Sequence, residues 1–134
     1  MDLPRRAFLS VTGVAAFART LPARPPHARQ QGASTMYGLI GKMTAVAGQR
    51  DALAAALLEG TGAMPGCLSY IVATDPADPD ALWITEVWDS QASHQGSLAL
   101  PAVKAAIAKG RPLIAGFSNR VETTPLGGYG LARP

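Results

Sequence analysis

The sequence predicts an α+β domain, in which a four-stranded antiparallel sheet carries helices on one face. From residue 36 to residue 124 the apolar patterns follow the order β-α-β-β-α-β, with the second helical stretch broken in two. Split βαβ units in this order form such a sheet. The 134-residue chain, at 48% hydrophobic and 16% charged residues, has enough apolar side chains for one core.

The first strand and the first helix are predicted from adjacent stretches. Residues 36–46 (MYGLIGKMTAV) are apolar, β-compatible and short enough for a strand, and Gly48 ends them. In QRDALAAALLEG, Leu53 and Leu57 recur at helical spacing, and Gly60 is a natural C-terminal stop.

A hairpin follows. Residues 64–66 (MPG) predict a turn, and residues 67–74 and 81–88 read as the second and third strands. The loop DPADPD between them cannot be a strand interior, because its prolines lack N–H donors and its aspartates favour turns. Two strands joined by so short a loop favour antiparallel pairing.

The second helical stretch and the last strand complete the domain. Ser90 or Asp89 can cap a short helix, which Gly96 is expected to interrupt. Pro101 suits the first position of a further helix that ends at Gly110. Residues 112–124 are predicted as the fourth strand, and residues 126–134 as a loose C-terminal tail, an arm that could lie against a partner subunit.

Positive charge is concentrated at the N-terminus. Residues 1–33 hold five arginines against one aspartate, whereas the rest of the chain has seven basic and eight acidic side chains. The basic overall charge therefore gives no argument for nucleic acid binding.

Residues 1–34 have the order of an export signal. Arg5 and Arg6, in PRRAFLS, precede a short apolar stretch at 7–18 and a chain rich in Pro and Arg. This resembles a twin-arginine signal, although Pro4 stands where Ser or Thr is usual. We expect export to the periplasm or the exterior, with only transient membrane contact. A disordered basic tail and an uncleaved anchor are the alternatives, and no apolar run reaches the ~20 residues of a membrane-spanning helix.

Three residues near the end of the third strand are candidates for a reactive site. Period-two alternation puts Glu86 and Trp88 on one face, where a carboxylate is costly unless it is paired or protonated. The alternative for Glu86 is a salt bridge to Lys42 or Arg120, or a position at a wet edge. Trp88 could be a flat wall against an aromatic substrate, or simply core.

His94 is the sole histidine outside the leader. Imidazole is the natural acceptor of a phenol proton near neutral pH, so His94 is the candidate base, and a surface helix position without a role is the alternative. Tyr70, Asn119 and Arg120 are strand residues that could bind a phenolic or quinone oxygen, and Tyr37 is in the same position.

The remaining sequence features concern cysteine and the sheet surface. Cys67 has no partner for an internal disulfide, and no Cys/His spacing indicates a metal site, so a core position is expected.

The strands are apolar on both faces, which predicts that a second copy of the chain packs sheet to sheet in a homodimer.

Several of these motifs, in this order and spacing, resemble the antibiotic biosynthesis monooxygenase (ABM) family, close to its quinol monooxygenase branch. They are the Gly-Gln-Arg entry to the first helix, the Pro-Gly-Cys turn at 65–67, EVWD at 86–89 followed by His94, LPAV at 100–103 and VETTP at 121–125. The resemblance covers residues 35–125.

The resemblance implies a dimeric α+β barrel of ferredoxin-like protomers. It implies oxidation of a small quinol or polyphenol by molecular oxygen without metal or flavin, with His94, Trp88 and Glu86 in the catalytic site. A haem-degrading branch uses an Asn on the first strand and a His in the later helix, and both are missing here, so haem degradation is not expected. A non-catalytic dimeric binder of small aromatics, or an isomerase or decyclising enzyme of the same superfamily, are the alternatives, because fold alone does not determine function.

Overall fold

The computed structural model describes residues 35–131, so the predicted export signal lies outside the described residues. The elements are β1 (Tyr37–Ala45), α1 (Arg50–Glu59), β2 (Cys67–Thr74), β3 (Ala81–Trp88), α2 (Gln91–Ser97), α3 (Pro101–Gly110), a 3-10 turn (Arg111–Leu113) and β4 (Ile114–Thr123). The predicted α+β class is confirmed.

The sheet has the order β2-β3-β1-β4, and all three strand pairs are antiparallel. The first and last strands in sequence therefore lie side by side, as a split βαβ arrangement requires. The predicted β2–β3 hairpin is confirmed. Strand pairing aligns residues of all four strands in rows across the sheet. We call two adjacent rows the inner row (Tyr70, Glu86, Leu39 and Glu122) and the outer row (Ile71, Thr85, Ile40 and Val121).

The core lies between the inner face of the sheet and the helices. Leu53 of α1 packs against Ala45, Leu82 and Ile84 of the sheet, and these residues are buried. On β3 the face carrying Leu82, Ile84, Glu86 and Trp88 is therefore the inner face. The predicted alternation on this strand is confirmed, since Leu82, Ile84 and Trp88 are buried whereas Trp83, Thr85 and Val87 are only partly buried.

Gly60 ends α1, as predicted. Its backbone is right-handed helical, with φ −80°, so the freedom of glycine to adopt positive φ is not used. A Cβ at this position would lie 2.7 Å from the Cβ of Ala106 on α3. Glycine is needed here because the two helices approach closely.

Ser90 caps α2, as predicted, and its side chain accepts a hydrogen bond from the Ser93 backbone N–H at 3.1 Å. The expected interruption at Gly96 is wrong, because the helix continues through Gly96 to Ser97. A glycine in a helix costs only about 1 kcal/mol, and the break falls instead before Pro101, which begins α3.

The predicted fourth strand starts two residues late and is not straight. Residues 111–113 form a 3-10 turn, and β4 begins at Ile114. The register between β4 and β1 shifts at Ile40/Lys42, and Asn119 of β4 has a positive φ of 51° there. The extra residue of this bulge changes which β4 side chains face the helices.

Lys42 and Trp83 hold the loop that closes the β2–β3 hairpin. The Asp75 carboxylate accepts from Lys42 Nζ at 2.8 Å, from Trp83 Nε1 at 3.0 Å and from the Ala77 N–H at 2.8 Å. The Lys42 hydrogen bond, followed by those from Ala77 and Trp83, lowers the pKa of Asp75 to about 2. Asp75 is thus the negative partner of Lys42.

Among residues 35–131, no helix packs on the outer face of the sheet as α1 packs on the inner face. In the outer row, Ile71 and Val121 are 54% and 52% exposed. The tail after β4 is also open, since Leu126 and Tyr129 are fully exposed. Among residues 35–131 no helix is long and apolar enough to cross a membrane.

Candidate active site

A cavity of about 220 Å³ lies between the inner face of the sheet and the helices, and we call it the chamber. Its wall is mainly apolar. The polar groups in the wall include Tyr70 from β2, Glu86 from β3 and His94 from α2. The structure therefore brings the three predicted catalytic residues, Glu86, Trp88 and His94, together with Tyr70.

Trp88 is both core and chamber wall. It is 1% exposed, and its indole Nε1–H donates to Glu86 Oε2 at 2.9 Å. The two residues are two apart on β3, so they share the inner face and their side chains meet. A buried indole N–H usually requires a partner, and here the partner is the candidate carboxylate.

His94 lies at the end of the chamber near α2, with its side chain 15% exposed. Its Nε2 is 3.8 Å from Glu86 Oε2. Its ring is 5.3 Å from that of Tyr37 and 5.5 Å from that of Trp88, the latter edge to face. His94 is therefore not at an exposed helix position, since its ring contacts two aromatic side chains and is largely buried.

Glu86 is a buried carboxylate with polar neighbours. Burial raises its pKa, and the Trp88 hydrogen bond, the neighbouring His94 and the Arg120 guanidinium act in the opposite direction. The alternative of a salt bridge with Lys42 or Arg120 is wrong, since Lys42 pairs with Asp75 and Arg120 with Glu122. A carboxylate in such a setting is a recognised mark of a functional site.

Tyr70 stands next to Glu86 in the inner row. Burial, followed by the charge of Glu86, raises the pKa of the Tyr70 phenol well above its ordinary value. The phenol is therefore neutral at physiological pH and can donate a hydrogen bond to a ligand oxygen.

Arg120 lines a second cavity, of about 400 Å³, which also includes Tyr70 and Glu86. Its Nη1 lies 3.3 Å from Glu122 Oε1, and the same oxygen accepts from the Tyr37 hydroxyl at 3.0 Å. Sequence reasoning missed Glu122. Its place in the inner row depends on the β4 bulge, which no local pattern in the sequence indicates.

Asn119 is set apart from the other predicted residues. It is exposed, it occupies the left-handed conformation in the bulge, and it lines neither of the two cavities that Glu86 lines. Asparagine tolerates positive φ better than most residues, so a backbone role accounts for it. The structure gives no support for a substrate-binding role at this position.

Two further features bear on chemistry. Cys67 is half-buried at the start of β2, and burial raises the pKa of its thiol, which disfavours the nucleophilic thiolate. Within residues 35–131 no three His, Cys, Asp or Glu side chains are grouped so that they could hold a metal ion.

Known proteins are similar to this chain in sequence and in fold. The profile of the family described as antibiotic biosynthesis monooxygenase matches residues 36–109. A crystal structure from Chloroflexus aurantiacus J-10-fl, of a protein assigned to the same family, is 65% identical, with a TM-score of 0.72, and the alignment covers 73% of this chain and all of that one.

More distant structures show the fold alone. PA3566 from Pseudomonas aeruginosa is 22% identical, with a TM-score of 0.62 over 72% of this chain and 99% of that one. A Caulobacter crescentus CB15 protein is 17% identical, with a TM-score of 0.63 over 71% of this chain and 93% of that one. A search of curated proteins gives no match. The family profile and the Chloroflexus relative lead to one conclusion: the chain belongs to the antibiotic biosynthesis monooxygenase family.

Proposed function

We propose that this protein is a cofactor-independent monooxygenase that oxidises a small quinol or polyphenol with molecular oxygen. The observation that carries the proposal is the grouping of a buried carboxylate, an imidazole and an indole around a mainly apolar chamber. Family membership supports the reaction class, and the chamber supports the choice of a small aromatic substrate.

The chemistry requires little from the protein beyond proton transfer and a dry site. His94 takes a hydroxyl proton from the quinol, and the resulting quinolate passes one electron to O₂. The two radicals combine to form a C–O bond. Loss of water then leaves one oxygen atom of O₂ in a hydroxyquinone and the other in H₂O. An apolar chamber favours these steps because it excludes bulk water from the intermediates.

Each polar residue has a role that follows from its position. Glu86 stabilises the protonated His94, from 3.8 Å, and the Trp88 indole holds Glu86 in place. The neutral Tyr70 phenol donates to the second oxygen of the quinol. The His94–Glu86 distance is too long for a direct hydrogen bond, so their coupling is electrostatic or passes through one water.

Oxygen uptake by the purified full-length chain tests this proposal. The protein is first checked for bound haem or flavin by its visible spectrum, and a panel of hydroquinones is then followed with an oxygen electrode. We expect uptake above autoxidation and incorporation of one ¹⁸O atom from ¹⁸O₂ into the product. Uptake no faster than autoxidation across the panel would overturn the proposal.

A non-catalytic binder of small aromatics is the second candidate. The observation that favours it is the 3.8 Å separation of His94 and Glu86, which leaves the candidate base without a direct hydrogen bond to its orienting carboxylate. Binding of hydroquinones, seen as a change in Trp88 fluorescence, without oxygen uptake would support this candidate.

We also propose that two copies of the chain pack through the outer faces of their sheets. The support is the outer row, in which Ile71 and Val121 are about half exposed on a face to which no helix of the described chain packs. Light scattering after gel filtration should give a dimer mass, and Ile71→Asp should shift it to the monomer. A monomeric wild-type protein would contradict this proposal.

The remaining proposal concerns export through the leader. The support is the sequence alone, with Arg5 and Arg6 ahead of a short apolar stretch. Cell fractionation should find the wild-type chain outside the cytoplasm and the Arg5→Lys/Arg6→Lys double variant inside it. Equal distribution of the two would reject a twin-arginine signal.

A further inference from the structure

Met43 of β1 lies where three cavities meet. It lines the chamber of about 220 Å³ and the second cavity of about 400 Å³. It also lines a third cavity, of about 540 Å³, between α3 and β4. In the register of the sheet, Met43 lies between Leu82 of β3 and Phe117 of β4.

Among the residues that line these three cavities, Met43 alone is shared by all of them. It is partly buried against the core cluster of Leu53 and Leu82. Methionine is unbranched and has three rotatable bonds, so it fills irregular gaps and adapts to its neighbours. Shortening this one side chain is the simplest way to join the chamber to the other two cavities.

Two polar groups of the site line both the chamber and the second cavity. Glu86 and Tyr70 line the chamber and also the second cavity. A ligand that extended past Met43 would therefore keep its contacts with both residues while its additional rings lay against Phe117.

We propose that Met43 sets the number of fused rings that the site accepts, which rests on the proposed action on quinols. An apolar cavity of about 150 Å³ accommodates one benzene ring. A chamber of about 220 Å³ thus suits hydroquinones with one ring or two fused rings, and larger ones need the space beyond Met43. The substrate class is accordingly the one- and two-ring hydroquinones.

Ring-count profiles of Met43 variants test this assignment. Met43→Ala and Met43→Val shorten the side chain, and the valine is favoured in a strand if the alanine variant folds poorly. Met43→Leu keeps the volume. Met64→Ala is the matched control, because Met64 lines the chamber and a shallow groove beside it but neither of the other two cavities that Met43 lines.

Binding and turnover are measured separately with hydroquinones of one to four fused rings. Trp88 and Trp83 are the two tryptophans, so a Trp83→Phe background makes Trp88 the sole reporter of binding in the chamber. Oxygen uptake gives kcat/KM for the same compounds. Circular dichroism confirms that each variant is folded.

We expect the Ala and Val variants to favour three- and four-ring compounds over one-ring compounds by at least about tenfold more than wild type does. Met43→Leu should keep the wild-type profile, whereas Met64→Ala enlarges the chamber without opening it towards Phe117 and should shift the profile by less than the two shortened Met43 variants do. Folded Ala and Val variants with a wild-type ring-count profile would overturn the proposal, as would an equal shift in Met64→Ala. A shifted binding profile without oxygen uptake in any variant would support the role of Met43 in ring-count selection while refuting the monooxygenase function.

Discussion

One oxygen of the Glu86 carboxylate serves both other members of the candidate site: Oε2 accepts the Trp88 indole N–H at 2.9 Å and faces His94 Nε2 at 3.8 Å. The indole bond fixes the carboxylate in a largely buried position, where the side chain is 12% exposed. The carboxylate in turn provides negative charge beside the imidazole. The carboxylate oxygen that binds the indole is therefore also the one nearest to the imidazole.

Removal of the imidazole should affect the chemical step more than binding. For His94→Ala we expect kcat for hydroquinone oxidation to fall by about 10²–10⁴-fold, the usual contribution of a general base, with a smaller change in KM. Added imidazole should restore part of the rate, because the variant leaves space next to Glu86. Oxygen uptake checks both effects. A kcat within a factor of about two of wild type would exclude His94 as the base.

Glu86→Gln should change stability and activity in opposite directions. Burial raises the pKa of Glu86 above its ordinary 4.5. Folding therefore favours the protonated carboxyl, and the wild type loses stability as pH rises through the raised folded-state pKa. Below pH 4.5 the burial of Glu86 no longer lowers the stability of the wild type, because the carboxyl is protonated in both the folded and the unfolded state.

Urea unfolding between pH 4 and pH 8 checks the sign. The stability of Glu86→Gln relative to wild type should increase with pH over this window, while kcat falls, since glutamine carries no charge to stabilise protonated His94. A relative stability that decreased with pH would show that the interactions with Trp88, His94 and Arg120 outweigh burial.

The two tryptophans provide a matched pair. Trp88→Phe removes the N–H donor to Glu86, and Trp83→Phe removes the donor to Asp75 on the outer face. We expect each lost bond to a carboxylate to cost about 1.5–3 kcal/mol in the free energy of unfolding, less for Trp83 because Lys42 and Ala77 still bind Asp75.

The two tryptophan variants should differ in their enzymatic activity. Trp88→Phe frees the Glu86 carboxylate and should lower kcat, whereas Trp83→Phe leaves the chamber intact and should retain wild-type kcat. Steady-state oxygen uptake and urea titration of both variants make the comparison. Equal losses of kcat in the two variants would mean that general destabilisation, and not the Trp88–Glu86 bond, is responsible.

The contact between α1 and α3 can be tested by a double-mutant cycle. Gly60→Ala places a Cβ 2.7 Å from that of Ala106 and should cost about 1–3 kcal/mol from overpacking. Ala106→Gly removes the clash, so the double variant should recover part of the loss, with a coupling energy of about 0.5–3 kcal/mol. Urea unfolding of the four proteins measures the coupling. Additive effects would show that the helices move apart freely.

Much of the fold could be predicted because its signals are local. The bounds of β2 and β3 follow from prolines, aspartates and glycines on either side of them, and Pro101 marks the start of α3. Strand alternation also placed Glu86 and Trp88 on one face. The predicted interruption at Gly96 is wrong because glycine weakens a helix without necessarily ending it.

The contacts that the site residues make depend on the tertiary structure. The sequence by itself determined the order of elements, the shared face of Glu86 and Trp88, and the presence of one histidine after them, since these depend on periodicity and capping. Only the tertiary structure decided that Lys42 pairs with Asp75 and not with Glu86, that Tyr37 binds Glu122, and that the His94 ring contacts two aromatic rings. The physical reason is that strand register and the β4 bulge arise from pairing between segments about 80 residues apart, which no local pattern encodes.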